Sequence, residues 1–390
     1  MRYAHMLILD CEAPGRDREH TVTGGTGVIE TWKEAAIENA AAWILWGGLL
    51  IGAVFGFIVQ RTNFCTMGSL SDIVSFGDWR RFRSWVLAAG VAILGVYWLE
   101  RAGIADMTGS MYVSPSLAWG GHVIGGTIFG IGMVFSGGCV SRNLVRAGSG
   151  DLRSLVVLWL IGGVAYMTIG GLFGPARVAM VGAMTADLSA AGVSDQRLGS
   201  IISALTGVPF ETAQLAAVVA IAGAILIWCF KDAAFRRSPA HLAAGVGIGL
   251  CVVAGWMLTA LTFDEFAANP SIGSLSFVRP AGDSIDYVMR FTAYAAPGFP
   301  VVTTLGALLG AFVGAVSQRR FRLATFSDPA DTLRNLGGAM LMGVGGVVAL
   351  GCTIGQAVTG TSTLAAGSLI TFACIVIGGL IGMKAMEAMV

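Results

Sequence analysis

Residues 41–59 read AAWILWGGLLIGAVFGFIV, an apolar stretch without a charged side chain. A helix of about 20 mostly apolar residues is long enough to cross the hydrocarbon core of a bilayer. Comparable stretches recur along the chain at 85–99, 118–135, 155–174, 213–230, 242–261, 298–317, 333–350 and 364–383. The sequence therefore predicts an all-α, polytopic membrane protein with about nine transmembrane helices.

The composition of the whole chain agrees with a membrane location. Of its 390 residues, 55% are hydrophobic and 12% are charged, and the mean hydropathy is +0.76. A soluble domain carries about 25% charged residues. The 56 glycines suit close packing between helices. A net charge of +1 gives no indication of nucleic-acid binding.

The positive charges between the predicted helices alternate along the chain. The loops after helices one, three, five and seven hold four, three, three and four Lys or Arg residues, and those after helices two, four, six and eight hold one, two, two and none. Cytoplasmic loops are enriched in Lys and Arg. The pattern supports the helix count and predicts that the N-terminus lies outside and the C-terminus in the cytoplasm.

Two kinds of polar segment lie outside the predicted helices. Residues 1–40 read as a polar tail without a cleavable signal peptide, in which 28–40 can form an amphipathic helix at the membrane surface. The long segments 175–212 and 262–297 fall on the outer side by the loop count and hold Pro, Asp and Ser. We interpret both as caps or surface helices rather than as separate domains.

Two pairs of similar segments predict an internal duplication. Gly52-Ala-Val-Phe-Gly-Phe-Ile-Val-Gln60 is similar to Gly310-Ala-Phe-Val-Gly-Ala-Val-Ser-Gln318, and Gly130-Ile-Gly-Met-Val-Phe-Ser-Gly-Gly-Cys139 is similar to Gly343-Val-Gly-Gly-Val-Val-Ala-Leu-Gly-Cys352. By loop parity the first two helices are parallel and the second two are antiparallel. Only the second relation is that of an inverted repeat, so either one match is accidental or the halves are not simple copies. Chance similarity between Gly-rich membrane helices stays an alternative to duplication.

Duplicated halves are common in transporters, where the substrate site lies between them. We expect a transmembrane transport domain over residues 41–390, with approximate halves at 41–200 and 213–385.

Three of the seven cysteines stand in a distinctive setting. Each lies just beyond an apolar helix, in a break rich in Gly and hydroxyl side chains. The breaks are Thr62-Asn-Phe-Cys65-Thr-Met-Gly68, Ser136-Gly-Gly-Cys139-Val-Ser-Arg142 and Gly351-Cys352-Thr-Ile-Gly-Gln356. Transporters place substrates at such breaks, where helix N-termini face anions and glycine leaves backbone N–H groups accessible. The candidate binding residues are Cys65, Cys139, Cys352, Gly138, Gly351 and Arg142.

Several uses of three cysteines are disfavoured by the sequence. The remaining helical cysteines, Cys229, Cys251 and Cys374, lie in apolar runs, where a free cysteine behaves as a small hydrophobe. Loop parity separates Cys352 from the other two, which argues against a disulfide. The chain has no CxxC motif and its four histidines do not cluster, so a zinc site is not expected. Copper(I) prefers thiolate and thioether ligands, and few of the methionines lie beside the three cysteines, which argues against a copper site.

A further possibility is that the three thiols make weak, sequential contacts with a soft, sulfur-containing anion. A neutral thiol is a weak donor that does not repel a dianion, and a conducting site must also release its ligand. Arg142 and Arg146 would draw anions to the inner mouth. Alternatively, their positive charges only set the orientation of the chain in the membrane.

The predicted helices contain no Asp or Glu suited to a proton relay, which favours facilitated passage over a proton-coupled pump. His122 is expected to be a neutral side chain bonded to a neighbouring helix. No nucleotide-binding motif stands after a strand, so no cofactor is expected.

The three breaks resemble those of the YeeE/YedE family of sulfur-transport membrane proteins. The resemblance is carried by Asn63–Gly68, Gly137–Asp151 and Gly351–Gln356, and it covers about residues 41–385. It implies nine spanning helices with shorter helical hairpins that re-enter the membrane, arranged as two pseudo-symmetric halves in the shape of an hourglass. The polar tail and the long segment 262–297 have no placed counterpart in the family.

The same resemblance implies uptake of thiosulfate or a related inorganic sulfur species. Cys139 would lie near the constriction and meet the ion first, and Cys65 and Cys352 would pass it on through non-covalent S–H···S contacts. A cytoplasmic sulfur carrier of the TusA type would receive it. The alternatives are a permease for sulfide, selenium species or a soft metal, and a membrane sulfurtransferase that uses Cys65 and Cys139 as a thiol pair.

Overall fold

The computed structural model describes residues 33, 36–263, 271–326 and 328–389. In this part of the chain the structure is almost wholly helical. The strands are one antiparallel pair, β1 (Ser116–Leu117) and β2 (Ala186–Asp187). The predicted all-α class is therefore confirmed. Most of the tail 1–40, and with it most of the amphipathic helix expected at 28–40, lies outside the described residues.

Fifteen α-helices make up the described part of the chain. They are α1 (Ala40–Thr62), α2 (Thr66–Phe76), α3 (Arg80–Arg101), α4 (Trp119–Phe135), α5 (Val140–Gly148), α6 (Leu152–Ile169), α7 (Gly174–Ala183), α8 (Leu198–Thr206), α9 (Phe210–Lys231), α10 (Ala233–Arg236), α11 (Pro239–Leu261), α12 (Val278–Met289), α13 (Phe299–Ser317), α14 (Pro329–Val348) and α15 (Ala366–Glu387). A π-helical segment covers Gly355–Gly360, and short 3₁₀ turns cover Met107–Gly109, Ser189–Ala191 and Phe291–Ala293.

Each of the nine predicted stretches overlaps one long helix. Among the described residues, eight helical stretches are long and apolar enough to cross a membrane, and the fold is that of a polytopic membrane protein. Two of these stretches, Ala40–Phe76 and Trp119–Gly148, run through a break that joins a long helix to a short one. Helix α14 has 20 residues but is not among the eight, because charged residues such as Asp331 and Arg334 occupy its first turns.

Glycine brings α1 and α13 into backbone contact. A Cβ added to Gly310 would lie 2.6 Å from the carbonyl carbon of Ala53, and one added to Gly56 would lie 2.8 Å from the Cα of Ala307. Gly48 lies against Val302 near the start of the pair, so the two helices run in the same direction. Small residues permit this approach where packing, not water, drives association.

Helices α4 and α14 make reciprocal glycine contacts and run in opposite directions. A Cβ on Gly125 would lie 2.8 Å from the Gly345 oxygen, and one on Gly345 would lie 2.7 Å from the Gly125 oxygen. Gly132 and Gly338 exchange the same contact, at 2.7 Å each way. The helix directions inferred from loop parity are therefore confirmed for both segment pairs.

Part of the segment 175–212 packs into the interior of the protein. Asp195 and Arg197 are 6% and 7% exposed. The Arg197 guanidinium donates to the Asp195 carboxylate at 2.8 Å and to Glu100 of α3 at 3.1 Å. The backbone of Leu198 bonds to Leu364, just before α15. Ion pairing inside the protein, rather than water, satisfies the polarity that made this segment look like a surface loop.

Part of the segment 262–297 also packs into the interior of the protein. Leu275 and Phe277 are 0% and 1% exposed. The Thr359 hydroxyl donates to the Leu275 carbonyl at 2.7 Å, and the Ser274 hydroxyl donates to the Val252 carbonyl at 2.7 Å. This stretch therefore enters the core before α12 begins.

Candidate functional site

All three predicted cysteines stand immediately before a helix. Cys65 is the N-cap of α2, Cys139 is the N-cap of α5, and Cys352 precedes the helical turn that leads into the π-helical segment. The Sγ atoms of Cys65 and Cys352 accept backbone N–H groups three residues further on, from Gly68 at 3.5 Å and from Gly355 at 3.3 Å. A helix N-terminus, with unpaired N–H groups and a partial positive charge, thus faces each thiol.

The three breaks share one backbone device. A residue in the left-handed region stands two positions before each cysteine: Asn63 with φ 54°, Gly137 with φ 65° and Leu350 with φ 60°. Such a residue ends one helix, and the next helix starts within three residues. Leucine rarely adopts this conformation, so its presence at Leu350 shows how strongly the surroundings fix the break.

Cys139 is the central thiol of the cluster. It is 0% exposed, and its Sγ lies 3.2 Å from the Ser141 hydroxyl. The Cys65 thiol faces it within reach of a weak S–H···S interaction. Thr353, the neighbour of Cys352, also faces Cys139, and the buried Thr353 hydroxyl makes no hydrogen bond at normal distance among the described residues. The structure thus brings the three breaks together.

A fourth helix begins beside this cluster, and the sequence analysis missed it. The Ser276 hydroxyl lies 3.9 Å from Cys352 Sγ, and the Phe277 backbone N–H also faces that sulfur. Phe277 is the N-cap of α12. A sequence signal was present, because Pro280 falls in the first turn of α12, the one part of a helix that accepts proline.

Arg142 joins two of the breaks. Its Nη2 donates to Asn63 Oδ1 at 3.0 Å, and its Nη1 is buried with no hydrogen-bond partner among the described residues. Gly138 leaves room for the arginine stem, since a Cβ there would lie 3.0 Å from Arg142 Cγ. Gly351 similarly accommodates Gln356, whose Cγ would lie 3.1 Å from an added Cβ. The cluster therefore holds a buried cationic donor next to two thiols.

A cavity of about 230 Å³ adjoins the Cys139 break. Arg146, which lines it, donates to the Gly137 carbonyl at 3.1 Å. Three arginines and two aspartates contribute to the lining: Arg146, Arg153, Arg334, Asp151 and Asp331. The cavity is therefore a polar vestibule with an excess of positive charge.

Other predicted residues take ordinary positions. His122 is 3% exposed and its Nδ1 lies 2.7 Å from the Thr371 hydroxyl of α15, so the predicted bond to a neighbouring helix is confirmed. Cys229 and Cys251 are buried free thiols within α9 and α11. In the described part of the chain, no group of three His, Cys, Asp or Glu side chains is placed to hold a metal ion.

Long apolar helices around a buried set of helix starts define a membrane transporter. Residues 61–381 match the family described as sulphur transport, and the chain belongs to this family. The match extends from the first cysteine break to the last spanning helix.

Curated relatives carry transporter names. The thiosulfate transporter TsuA of Escherichia coli is 29% identical over 343 residues, which cover 81% of this chain and 87% of the relative. TsuA of Spirochaeta thermophila is 27% identical over 338 residues, or 86% of this chain and 97% of the relative. The probable transporter YedE of Salmonella typhimurium is 27% identical over 116 residues, 29% of this chain and 26% of the relative.

These relationships settle the class of protein. The chain is a multi-pass membrane transporter for sulfur compounds, as predicted, and not an enzyme. The alternative of a membrane sulfurtransferase is therefore set aside.

Proposed function

We propose that the protein carries thiosulfate, or a related inorganic sulfur anion, through the bacterial inner membrane into the cell. The observation that carries the proposal is the convergence of Cys65, Cys139 and Cys352, each at a helix N-terminus, in one buried cluster. Relatives named thiosulfate transporter TsuA support the choice of anion.

The helix starts supply electrostatic attraction in addition to that of the Arg142 guanidinium. Backbone N–H groups at a helix N-terminus and the helix dipole favour an anion. Gly68 and Gly355 donate such groups to the cysteine sulfurs, which orients the thiols beside the helix starts. An incoming anion would replace the cysteine sulfurs as the acceptor of these backbone N–H groups.

The thiols supply weak, reversible contacts to the sulfur end of the anion. An S–H group is a weak donor and sulfur is a weak acceptor, so each thiol binds the anion weakly enough to release it again. Because Cys139 faces both Cys65 and Thr353, an anion can move between these positions through non-covalent S–H···S contacts. This relay needs no cofactor.

Arginines beside the cysteines would give the path its direction. Arg142 lies beside Cys139, and Arg81 contacts Gly68 next to Cys65. Both belong to loops rich in Lys and Arg, which the positive-inside pattern assigns to the cytoplasm. The N-terminus would then lie outside and the C-terminus inside. A TusA-type sulfur carrier would collect the product at the vestibule lined by Arg146 and Arg334.

Helix packing supports two inverted halves. The contact of α1 with α13 corresponds to the contact of α11 with α3. In the same way, the contact of α4 with α15 corresponds to the contact of α14 with α6. The contacts of α2 with α3 and α15 recur as those of α12 with α13 and α6. In each of the contacting pairs α1–α11 and α4–α14, one helix is the counterpart of the other. We therefore place the halves at α1–α6 and α11–α15, with α9 outside them, and treat the similarity of Gly52–Gln60 to Gly310–Gln318 as a chance match.

Uptake of ³⁵S-labelled thiosulfate tests the proposal directly. A sulfur-auxotrophic bacterium that lacks its own thiosulfate uptake is given this protein or an empty vector, with membrane expression measured in parallel. Uptake that is saturable and depends on the protein is expected. Absence of uptake by well-expressed protein would reject thiosulfate, and the same cells would then be tested with sulfide, selenite and a soft metal ion.

Arg142→Gln is expected to raise the KM for thiosulfate about tenfold or more. A hydrogen bond to a charged group contributes roughly 1.5–3 kcal/mol, and about 1.4 kcal/mol is a factor of ten. Arg142→Lys keeps the positive charge but loses the planar guanidinium group, so its KM should lie between those of the wild type and Arg142→Gln. Arg61→Gln is the matched control, since Arg61 is exposed and packs over the ring of Phe57. Equal KM values for Arg142→Gln and the control would remove Arg142 from the path.

A further inference from the structure

Ser276 stands, in the second half, one position before the residue that matches Cys65 in the first: Cys65 is the N-cap of α2, and Ser276 precedes Phe277, the N-cap of α12. Both residues stand in a break that precedes a short helix, α2 or α12, and these helices have equivalent neighbours. Cys65 faces Cys139, and Ser276 faces Cys352 at 3.9 Å. Since Cys139 and Cys352 are themselves the matching positions of the predicted repeat, the two contacts are counterparts.

The surroundings of Ser276 are those of a binding position. Its hydroxyl and the Phe277 backbone N–H both face Cys352, and the Tyr112 hydroxyl lies close to Gly355 on the same side, 3.4 Å from where a Cβ on Gly355 would stand. Two hydroxyl groups and one helix start thus surround the thiol of Cys352. This donor set is harder than the two thiols of the first half, because oxygen donors replace sulfur.

Ser276 is more exposed than the thiol it faces. Cys352 is 0% exposed and Thr353 is also 0% exposed, whereas Ser276 is only partly buried. In the orientation of the proposed function, the loop before α12 lies on the outer side. The Ser276 hydroxyl is therefore more accessible to an anion than the Cys352 thiol is.

We propose that Ser276 is a fourth substrate-contacting residue, which binds the oxygen end of a sulfur oxyanion while the neighbouring Cys352 thiol contacts its sulfur end. The proposal rests on the proposed function. A hydroxyl donates a strong hydrogen bond to an anionic oxygen, and a thiol does so weakly. The two halves would thus select for an ion that carries both oxygen and exposed sulfur, as thiosulfate does.

Transport kinetics give the first test. Ser276→Ala should raise the KM for thiosulfate about tenfold, the usual effect of losing a hydrogen bond to a charged group. Ser284→Ala is the matched control, because the Ser284 hydroxyl bonds within α12 to the Pro280 carbonyl at 2.7 Å. It should leave the KM unchanged. A KM for Ser276→Ala equal to that of wild type and control would overturn the proposal.

Labelling gives a second test that does not depend on transport. The Ser276→Cys variant is exposed in intact cells to a membrane-impermeant maleimide, with and without thiosulfate. Labelling above that of wild type, slowed by thiosulfate but not by equal chloride, is expected. Labelling that thiosulfate does not slow would overturn the assignment. If wild type transports no thiosulfate, the proposed function fails, and protection by sulfite or sulfate would still show an oxyanion site at Ser276.

Discussion

Cys139→Ala is expected to abolish thiosulfate uptake while the protein still reaches the membrane. Cys139 faces side chains from both of the other cysteine breaks, the Cys65 thiol and the Thr353 hydroxyl. Its loss leaves a gap in the relay that no neighbouring thiol spans. Uptake of labelled thiosulfate at several concentrations, normalised to membrane expression, measures the effect, and we expect at least a hundredfold fall, of roughly 3 kcal/mol.

Two further variants separate chemistry from packing. Cys139→Ser keeps the size of the side chain and a donor but removes the sulfur, so a relay through S–H···S contacts predicts that it too is inactive. Cys251→Ala removes a buried thiol of α11 that lies apart from the cluster and should transport normally. Full activity of Cys139→Ser would show that a donor of any kind suffices, and full activity of Cys139→Ala would eliminate the relay.

Gly310→Leu is expected to prevent accumulation of folded protein. A Cβ at this position would overlap the Ala53 backbone of α1, with the carbonyl carbon only 2.6 Å away. Overpacking against flexible side chains costs about 1–3 kcal/mol, and backbone cannot yield in the same way, so a larger cost is expected here. The helices α1 and α13 would have to separate along their whole contact.

The matched control is Gly163→Leu in α6. A Cβ there meets nothing within 4 Å and the position is exposed, so the added leucine meets lipid. Fluorescence-detected size-exclusion profiles and melting temperatures in detergent compare the two variants with wild type. A monodisperse Gly310→Leu protein with the melting temperature of the control would show that the two helices are not packed as described.

The sequence was informative wherever a long-range fold leaves a local mark. Spanning helices are marked by length and hydropathy alone, so 41–59 and 242–261 lie within α1 and α11. The breaks at Cys65, Cys139 and Cys352 are marked by glycine and hydroxyl residues after an apolar run. Loop charges gave the relative directions of α1, α4, α13 and α14, because each crossing reverses the chain.

The sequence was uninformative where polar residues are satisfied inside the protein. Arg197 and Asp195 read as surface residues, yet each is the buried partner of the other. Ser276 stands in a segment too short and too polar to register as a membrane element, and its importance comes from the proximity of Cys352, 76 positions away. Such contacts depend on tertiary packing, which periodicity and composition do not record.

The left-handed residue two positions before each cysteine makes these three connections unusually intolerant of changes in length. Loops on a protein surface accept insertions because their ends can adjust. Here Asn63, Gly137 and Leu350 fix the end of one helix, and the cysteine stands at the start of the next. One added residue would turn the following helix by about 100° relative to its break. In descendants of this chain, the distance from the helix-ending residue to the sulfur should therefore persist even where the side chains between them change.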